Sequence, residues 1–231
     1  ILLHDIGHSP FSHALEHSIV TGISHESVSL LFMEKLNEEF EGQLSLAIQV
    51  FKGTYHKLFL HQLVSSQLDM DRLDYLNRDS FYTGVLEGKI GAQRIIRMLN
   101  IEQGRLVVEE KGVYSIEKYI IARRLMYWQV YLHKTVLAAE HLLVNILLRA
   151  KELVSAGEKL FATPSFAYFL ENNCTENDLR NNRVILQSYA MLDDYDIFSS
   201  IKVWADHSDI VLSRLCKGMV NRSLYKIRLQ K

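Results

Sequence analysis

Apolar residues recur along most of this chain at intervals of three and four. Only two prolines and eleven glycines interrupt its 231 positions. That period is helical, so the fold class read from it is mainly α. Gly22 marks a turn, and Ser24 stands where an N-cap would open a helix running to about Phe40. Shorter helices are predicted over about Leu44–Lys52, His56–Ser66 and Leu68–Phe81. At the start, Ile1–Gly7 reads as the end of a helix, and Pro10 suits the first turn of the next, through about His17. One stretch breaks the period. Leu106–Val108 and Val113–Ser115 around Glu109–Gly112, with Gly104 before them, predict a small β-hairpin. Ile116–Ser155 then holds no Gly or Pro and predicts one long helix, a spine or an oligomer surface. Residues 156–231 continue as amphipathic helix with Asn-rich turns at Asn172–Asn173 and Asn181–Asn182. The expected division is a core over 1–155 and a helical C-terminal lobe over 156–231.

Composition narrows the classes. Formal net charge is -1 with no strongly basic block, which gives no signature of nucleic-acid or anionic-membrane binding. Cys174 and Cys216 are too few for a disulfide framework or a thiolate zinc site, which fits a reducing, cytoplasmic setting. The longest apolar region, Thr135–Ala150, is interrupted by Glu140 and His141 and is too short to span a bilayer. No signal peptide is visible. The chain opens at Ile1 as if inside a helix, so further N-terminal sequence is expected.

Chemistry concentrates at the start. His4, His8, His13, His17 and His25 all fall within the first 25 residues. His4 and Asp5 offer an imidazole beside a carboxylate, a pair suited to Mn, Fe, Ni, Co or Zn. His8 stands one helical turn beyond His4, and His13 and His17 would follow on a second helix. Five histidines in an apolar stretch carry a desolvation cost that core filling does not repay, and this favours a functional cluster. His17 is the member most readily read as structural. A second cluster, Leu68–Asp79, holds four aspartates, with Asp71, Tyr75 and Asp79 in one helical stripe and Arg72 beside them. Taken alone it reads as a solvated acidic face. Beside a His-Asp pair it offers a carboxylate for metal, a guanidinium for phosphate and a phenol for sugar. Arg123, Tyr127 and Tyr131 repeat every four residues with Lys134 nearby, as either an amphipathic surface or an inward phosphate site.

These residues resemble the HD-domain metal-dependent phosphohydrolases. More narrowly, they are similar to deoxynucleotide triphosphohydrolases related to the animal enzyme that joins a sterile-alpha-motif domain to an HD domain. The run LLHDIGHSPFSH carries the resemblance most specifically, followed by DMDRLDYLNRD and RRLMYWQVYLHK, and more weakly by Met191–Phe198. It implies an HD-type helical bundle and a divalent metal ion, Mg included among the candidates. It makes His4, Asp5 and Asp71 metal ligands and places a further ligand histidine upstream of Ile1. His8 and His13 would face the phosphates, and His25, with Glu26 beside it, would donate a proton to the leaving oxygen. Arg72 stands where the family often has lysine, and the change keeps charge while altering geometry. Tyr75 and Asp79 would meet the sugar, Arg123 a phosphate, and Tyr131 would pack beneath the sugar. Tyr127 and Leu132 stand where the animal enzyme has histidine and glutamine.

The implied reaction is attack at the α-phosphorus of a dNTP, releasing deoxynucleoside and triphosphate. Spacing alone indicates only metal-assisted phosphoester hydrolysis. Two alternatives are an HD-type nucleotide phosphodiesterase or monophosphatase, and a non-catalytic nucleotide-binding HD module. His25, Glu26 and Asp71 weigh against the module, because a binder needs no proton donor. The resemblance also implies a homo-oligomer, dimer or tetramer.

Overall fold

In the computed structural model, the described residues are 1–11, 15, 18–20 and 22–227. The expectations placed on His13 and His17 lie outside them. The protein is mainly α with one small antiparallel sheet. Its elements are α1 (His25–Glu39), α2 (Ser45–Phe51), α3 (Leu58–Val64), α4 (Met70–Thr83), α5 (Ala92–Met98), β1 (Leu99–Glu102), β2 (Arg105–Val108), α6 (Val113–Met126), α7 (Lys134–Ser155), α8 (Pro164–Glu171), α9 (Glu176–Asn181), α10 (Arg183–Ala190), α11 (Asp194–Trp204) and α12 (Ile210–Val220). The chain divides into two compact units, residues 1–4 with 33–133, and residues 5–32 with 134–231.

In the first unit, Leu73 and Leu76 of α4 pack with Ile90, Ile95, Tyr119, Ala122 and Met126 into one buried cluster. α4 stops where its sequence says it should: Gly84 takes the left-handed conformation (φ 72°) that only glycine adopts without strain. The following 3₁₀ turn, Leu86–Gly88, is forced close to the core. A side chain at Gly88 would lie 2.4 Å from the Met126 sulfur.

The second unit is built on α7, whose Leu142, Leu143, Ile146, Leu147, Ala150 and Leu153 face one core. Phe166, Phe169 and Trp204 are fully buried in it, and the Trp204 indole donates to the Phe161 carbonyl at 2.9 Å. Its short helices are fixed at their starts by side chains. Thr175 with Asp178 and Asp193 with Asp196 form reciprocal capping boxes. Asp209 accepts from the Leu212 amide at 2.7 Å and from Arg149.

Helix placement follows the sequence reading closely from α1 to α4, and the Ser24 hydroxyl accepts from the Ser27 amide at 3.2 Å as an N-cap should. Three expectations are corrected. Residues 2–7 form turns rather than a helix end, held by i→i+3 bonds from His4 to Ile1 and from His8 to Asp5. The hairpin pairs Leu99–Glu102 with Arg105–Val108, not Leu106–Val108 with Val113–Ser115. Gln103 and Gly104 both take positive φ, the geometry of a two-residue hairpin turn. Gly112 serves close approach instead: a Cβ there would lie 2.9 Å from Met98 and Val108. Finally, Ile116–Ser155 is not one helix. A π-turn at Tyr127–Tyr131 closes α6, and α7 begins afresh at Lys134. No glycine or proline marks the break. Within the first unit, the Tyr131 hydroxyl reaches Asp79, a tertiary demand that local propensity does not report. Among the described residues, no helix is long and apolar enough to cross a membrane.

Asp209 sets an acid limit on the second unit. Bonds from Arg149, then from the Leu212 amide, hold its carboxyl down to about 2 from an ordinary 3.8. A depressed carboxylate stabilises the fold above its unfolded pKa, and that contribution is lost as pH falls through the folded value. The urea-unfolding midpoint should therefore fall between about pH 4 and pH 2. Asp209→Asn should flatten that limb, and an equally steep loss in the variant would contradict this role.

Candidate active site

α4 delivers one set of candidate groups because of how it starts. Asp69 is the N-cap residue, only 1% exposed, and its carboxylate accepts from the Arg72 amide at 2.8 Å and the Ser66 amide at 3.1 Å. The Arg72 guanidinium closes on the same carboxylate and also donates to the Ser66 carbonyl at 2.7 Å. A buried carboxylate needs this many donors. With the first turn locked, the i, i+4 spacing puts Asp71, Tyr75 and Asp79 on one half-buried face, while Asp74 and Arg78 pair in solvent.

His4 meets Asp71 within the same unit, Nε2 to Oδ1 at 3.9 Å. Its Nδ1 lies 2.6 Å from the Ile1 carbonyl, which can only accept, so Nδ1 carries a proton, and in the neutral imidazole Nε2 turns a lone pair towards Asp71. A divalent cation placed between that lone pair and the carboxylate would bind both. Ligand atoms bound at about 2.1 Å cannot be more than about 4.2 Å apart, and the His4–Asp71 separation falls inside that span. A main-chain carbonyl on the second ring nitrogen is also the usual support of a metal-ligating histidine. The residues therefore fit a divalent ion.

The face of α4 continues into the π-turn. Asp79 accepts from the Tyr131 hydroxyl at 2.7 Å, and Tyr131 packs edge-on against both Tyr75 and Tyr127. Burial, chiefly, raises the Tyr75 phenol to about 12. Burial and then the Asp79 bond push Tyr131 up further, so both act as neutral hydroxyls. The Arg123 guanidinium lies 5.8 Å from the Tyr127 ring centre and donates to the Gln67 side chain at 2.8 Å. Burial opposes its charge, but Tyr127 and the neighbouring phenols more than compensate and raise its pKa. Leu132 sits exposed just past the turn. Lys134 opens α7 in the second unit. A cavity of about 660 Å³ also opens beside His4, but Met33, Leu36, Phe40, Leu44 and Met70 give it apolar walls unsuited to a polyphosphate.

In the second unit, Asp5, His8 and His25 form the other cluster, with ligand-type atoms all within 4.8 Å of one another. Gly7 makes this possible. A Cβ there would lie 2.2 Å from the Ser29 nitrogen and 2.4 Å from the His25 carbonyl, so only glycine lets the turn lie against the start of α1. The Gly7 amide donates to Ser29 Oγ at 2.9 Å, and the Tyr189 hydroxyl donates to the Gly7 carbonyl at 3.2 Å. The His8 and His25 rings stack at 4.1 Å, and His25 Nε2 approaches Glu26 at 3.2 Å. Partial burial opposes ionisation of Glu26. Its own amide, the Ser24 hydroxyl and the two histidines outweigh it and hold the carboxyl below the usual range.

Each unit thus gathers its share of the expected residues: His4, Asp71, Arg72, Tyr75, Asp79, Arg123, Tyr127 and Tyr131 in the first, and Asp5, His8, His25 and Glu26 in the second. The peptide bond between His4 and Asp5 links the two sets. Asp69 and Gln67 were not picked out by sequence. Asp69 stood among four aspartates, and its place three residues before Arg72 was the available capping signal. Nothing in the sequence marked Gln67.

Removing the cap isolates its effect. Asp69→Ala should lower unfolding free energy by about 1–2 kcal/mol through loss of the N-cap alone. It should also weaken divalent-metal binding measured by calorimetry, because Asp71 lies in the turn that Asp69 holds. Unchanged metal affinity would show that Asp71 is positioned by other contacts.

Residues 90–160 match the family described as HD associated region. A phosphohydrolase of known crystal structure from Bacteroides thetaiotaomicron is similar at a TM-score of 0.95 and 60% identity, over 98% of this chain and 56% of that one. The uncharacterized protein YwfO of Bacillus subtilis is 35% identical over 97% of this chain and 51% of its own length. A Dictyostelium discoideum homolog of the deoxynucleoside triphosphate triphosphohydrolase SAMHD1 is 22% identical, over 89% of this chain and 44% of its own length. The chain spans about half the length of the curated relatives it matches.

Proposed function

Because the chain belongs to the HD-domain phosphohydrolase family, we propose that it carries the catalytic centre of a divalent-metal-dependent enzyme cleaving dNTPs to deoxynucleoside and triphosphate. The observation that carries this reading is the His4–Asp71 pair, with Nδ1 committed to a carbonyl and Nε2 turned to the carboxylate. In the proposed site, Asp5, joined to His4 by a peptide bond, completes the ligand set from this chain. The ion would supply Lewis-acid polarisation of the phosphoryl group and a more acidic water.

The chain's own groups account for the rest. His8 and Arg123 neutralise charge developing on phosphate oxygens, with Arg72 contributing less because Asp69 already opposes it. His25 donates the proton to the departing 5′-oxygen. Glu26, kept ionised, orients its imidazole and stabilises the cationic form. Asp79 has about four acceptor positions, so one bond from Tyr131 leaves capacity for a sugar hydroxyl. Tyr75 and Tyr131 offer neutral phenols and ring edges beside it.

Product analysis with Mn²⁺, using dNTPs and NTPs separately, tests the reading. Free triphosphate with deoxynucleoside is expected from dNTPs. Orthophosphate alone, or turnover confined to monophosphates, would overturn it. His4→Ala and Asp71→Ala should each lower turnover on the order of 10²-fold or more, since even outer-shell changes cost 10–100-fold. Nucleotide binding by equilibrium dialysis should survive in both.

A further inference from the structure

Four consecutive residues before α4 hold both candidate phosphate-facing arginines, but in chemically different ways. Arg72 is met by a carboxylate, Asp69, and by the Ser66 carbonyl. Arg123, from the far end of α6, is met by the neutral Gln67 side chain, whose Oε1 accepts from Nη1 at 2.8 Å. The Gln67 main-chain carbonyl accepts from the buried Tyr119 hydroxyl at 2.7 Å, which pins the turn to the same helix that carries Arg123. The Tyr127 ring lies near the guanidinium, and Tyr127 and Tyr119 hydrogen-bond it as well.

The difference matters for charge. A guanidinium has five N–H donors, and bonds to an amide oxygen or a phenol use some of them but cancel none of the positive charge. A carboxylate at the same place would hold the group more strongly while neutralising it. Arg72 has that second arrangement and Arg123 has the first.

We infer that Gln67 is a positioning residue that holds Arg123 in place while leaving its full charge for the polyphosphate of the substrate. This rests on the proposed phosphohydrolase reading and adds a determinant of polyphosphate affinity to it. Gln67 is exposed, and its side-chain oxygen is the neutral acceptor that meets Arg123. The amide neither reacts nor carries charge. It acts through Arg123.

The test compares Gln67→Ala, Gln67→Glu and Arg123→Ala. Inorganic triphosphate and orthophosphate serve as binding probes in calorimetry, and dNTP turnover is followed in parallel. Losing a hydrogen bond from a charged guanidinium to an amide corresponds to roughly a tenfold change, so Gln67→Ala should weaken triphosphate binding and raise dNTP KM by that factor. kcat should change less, and orthophosphate binding little. Gln67→Glu decides between positioning with charge and a merely structural contact. It should keep or raise the thermal midpoint, yet weaken triphosphate binding at least as much as alanine does. Wild-type triphosphate affinity in Gln67→Glu, or in Gln67→Ala with Arg123→Ala impaired, would overturn the role of Gln67 and leave the phosphohydrolase reading intact. Wild-type triphosphate affinity in Arg123→Ala would overturn both this inference and the part of the proposed site that uses Arg123.

Discussion

The first unit's chemistry depends on one buried carboxylate. Asp69 is almost fully removed from water and can remain there only because two amides and a guanidinium donate to it. Those bonds fix where α4 begins. The start of a helix fixes the azimuth of every later side chain, so Asp71, Tyr75 and Asp79 inherit their common face from it. The same carboxylate complements the positive end of the helix dipole and draws Arg72 back onto the helix N-terminus, which spends much of the arginine's charge. A residue that reads from sequence as a phosphate ligand thus has a structural duty that limits it.

A comparable constraint governs the second unit, and it is steric rather than electrostatic. Gly7 lies so close to the backbone of α1 that no side chain fits, and the approach is reinforced by Ser29 and Tyr189. This brings Asp5 and His8 to the first turn of α1, where His25 and Glu26 stand. The stacked His8 and His25 imidazoles and the adjacent Glu26 carboxylate form a compact group whose members are separated by up to 18 positions in the chain. The His4–Asp71 pair and the His25–Glu26 pair are therefore built by different local devices.

The π-turn at Tyr127–Tyr131 shows how a site can shape its scaffold. Neither glycine nor proline interrupts that stretch. The structure instead widens one turn, with Leu132 bonding back five residues to Tyr127, and the Tyr131 hydroxyl meets Asp79. Such turns recur at functional sites.

By itself the sequence determined the mainly helical class and the placement of α1 to α4, and it supplied the candidate site residues. Helical periodicity, capping residues and the spacing of His4, Asp5, Asp71, Tyr75 and Asp79 are local properties, and local properties can be read from a string. Only the tertiary structure decided that Gln103–Gly104 turns the hairpin while Gly112 serves packing, and that the predicted long helix breaks at Tyr131. It also decided that Arg72 is bound to Asp69 while Arg123 is held by an unmarked glutamine. Each of these turns on which distant group comes within hydrogen-bond or contact distance, and neither propensity nor periodicity carries that information. The opening His-Asp motif was legible from its residues, whereas the partners that give each of those residues its task were chosen by the fold.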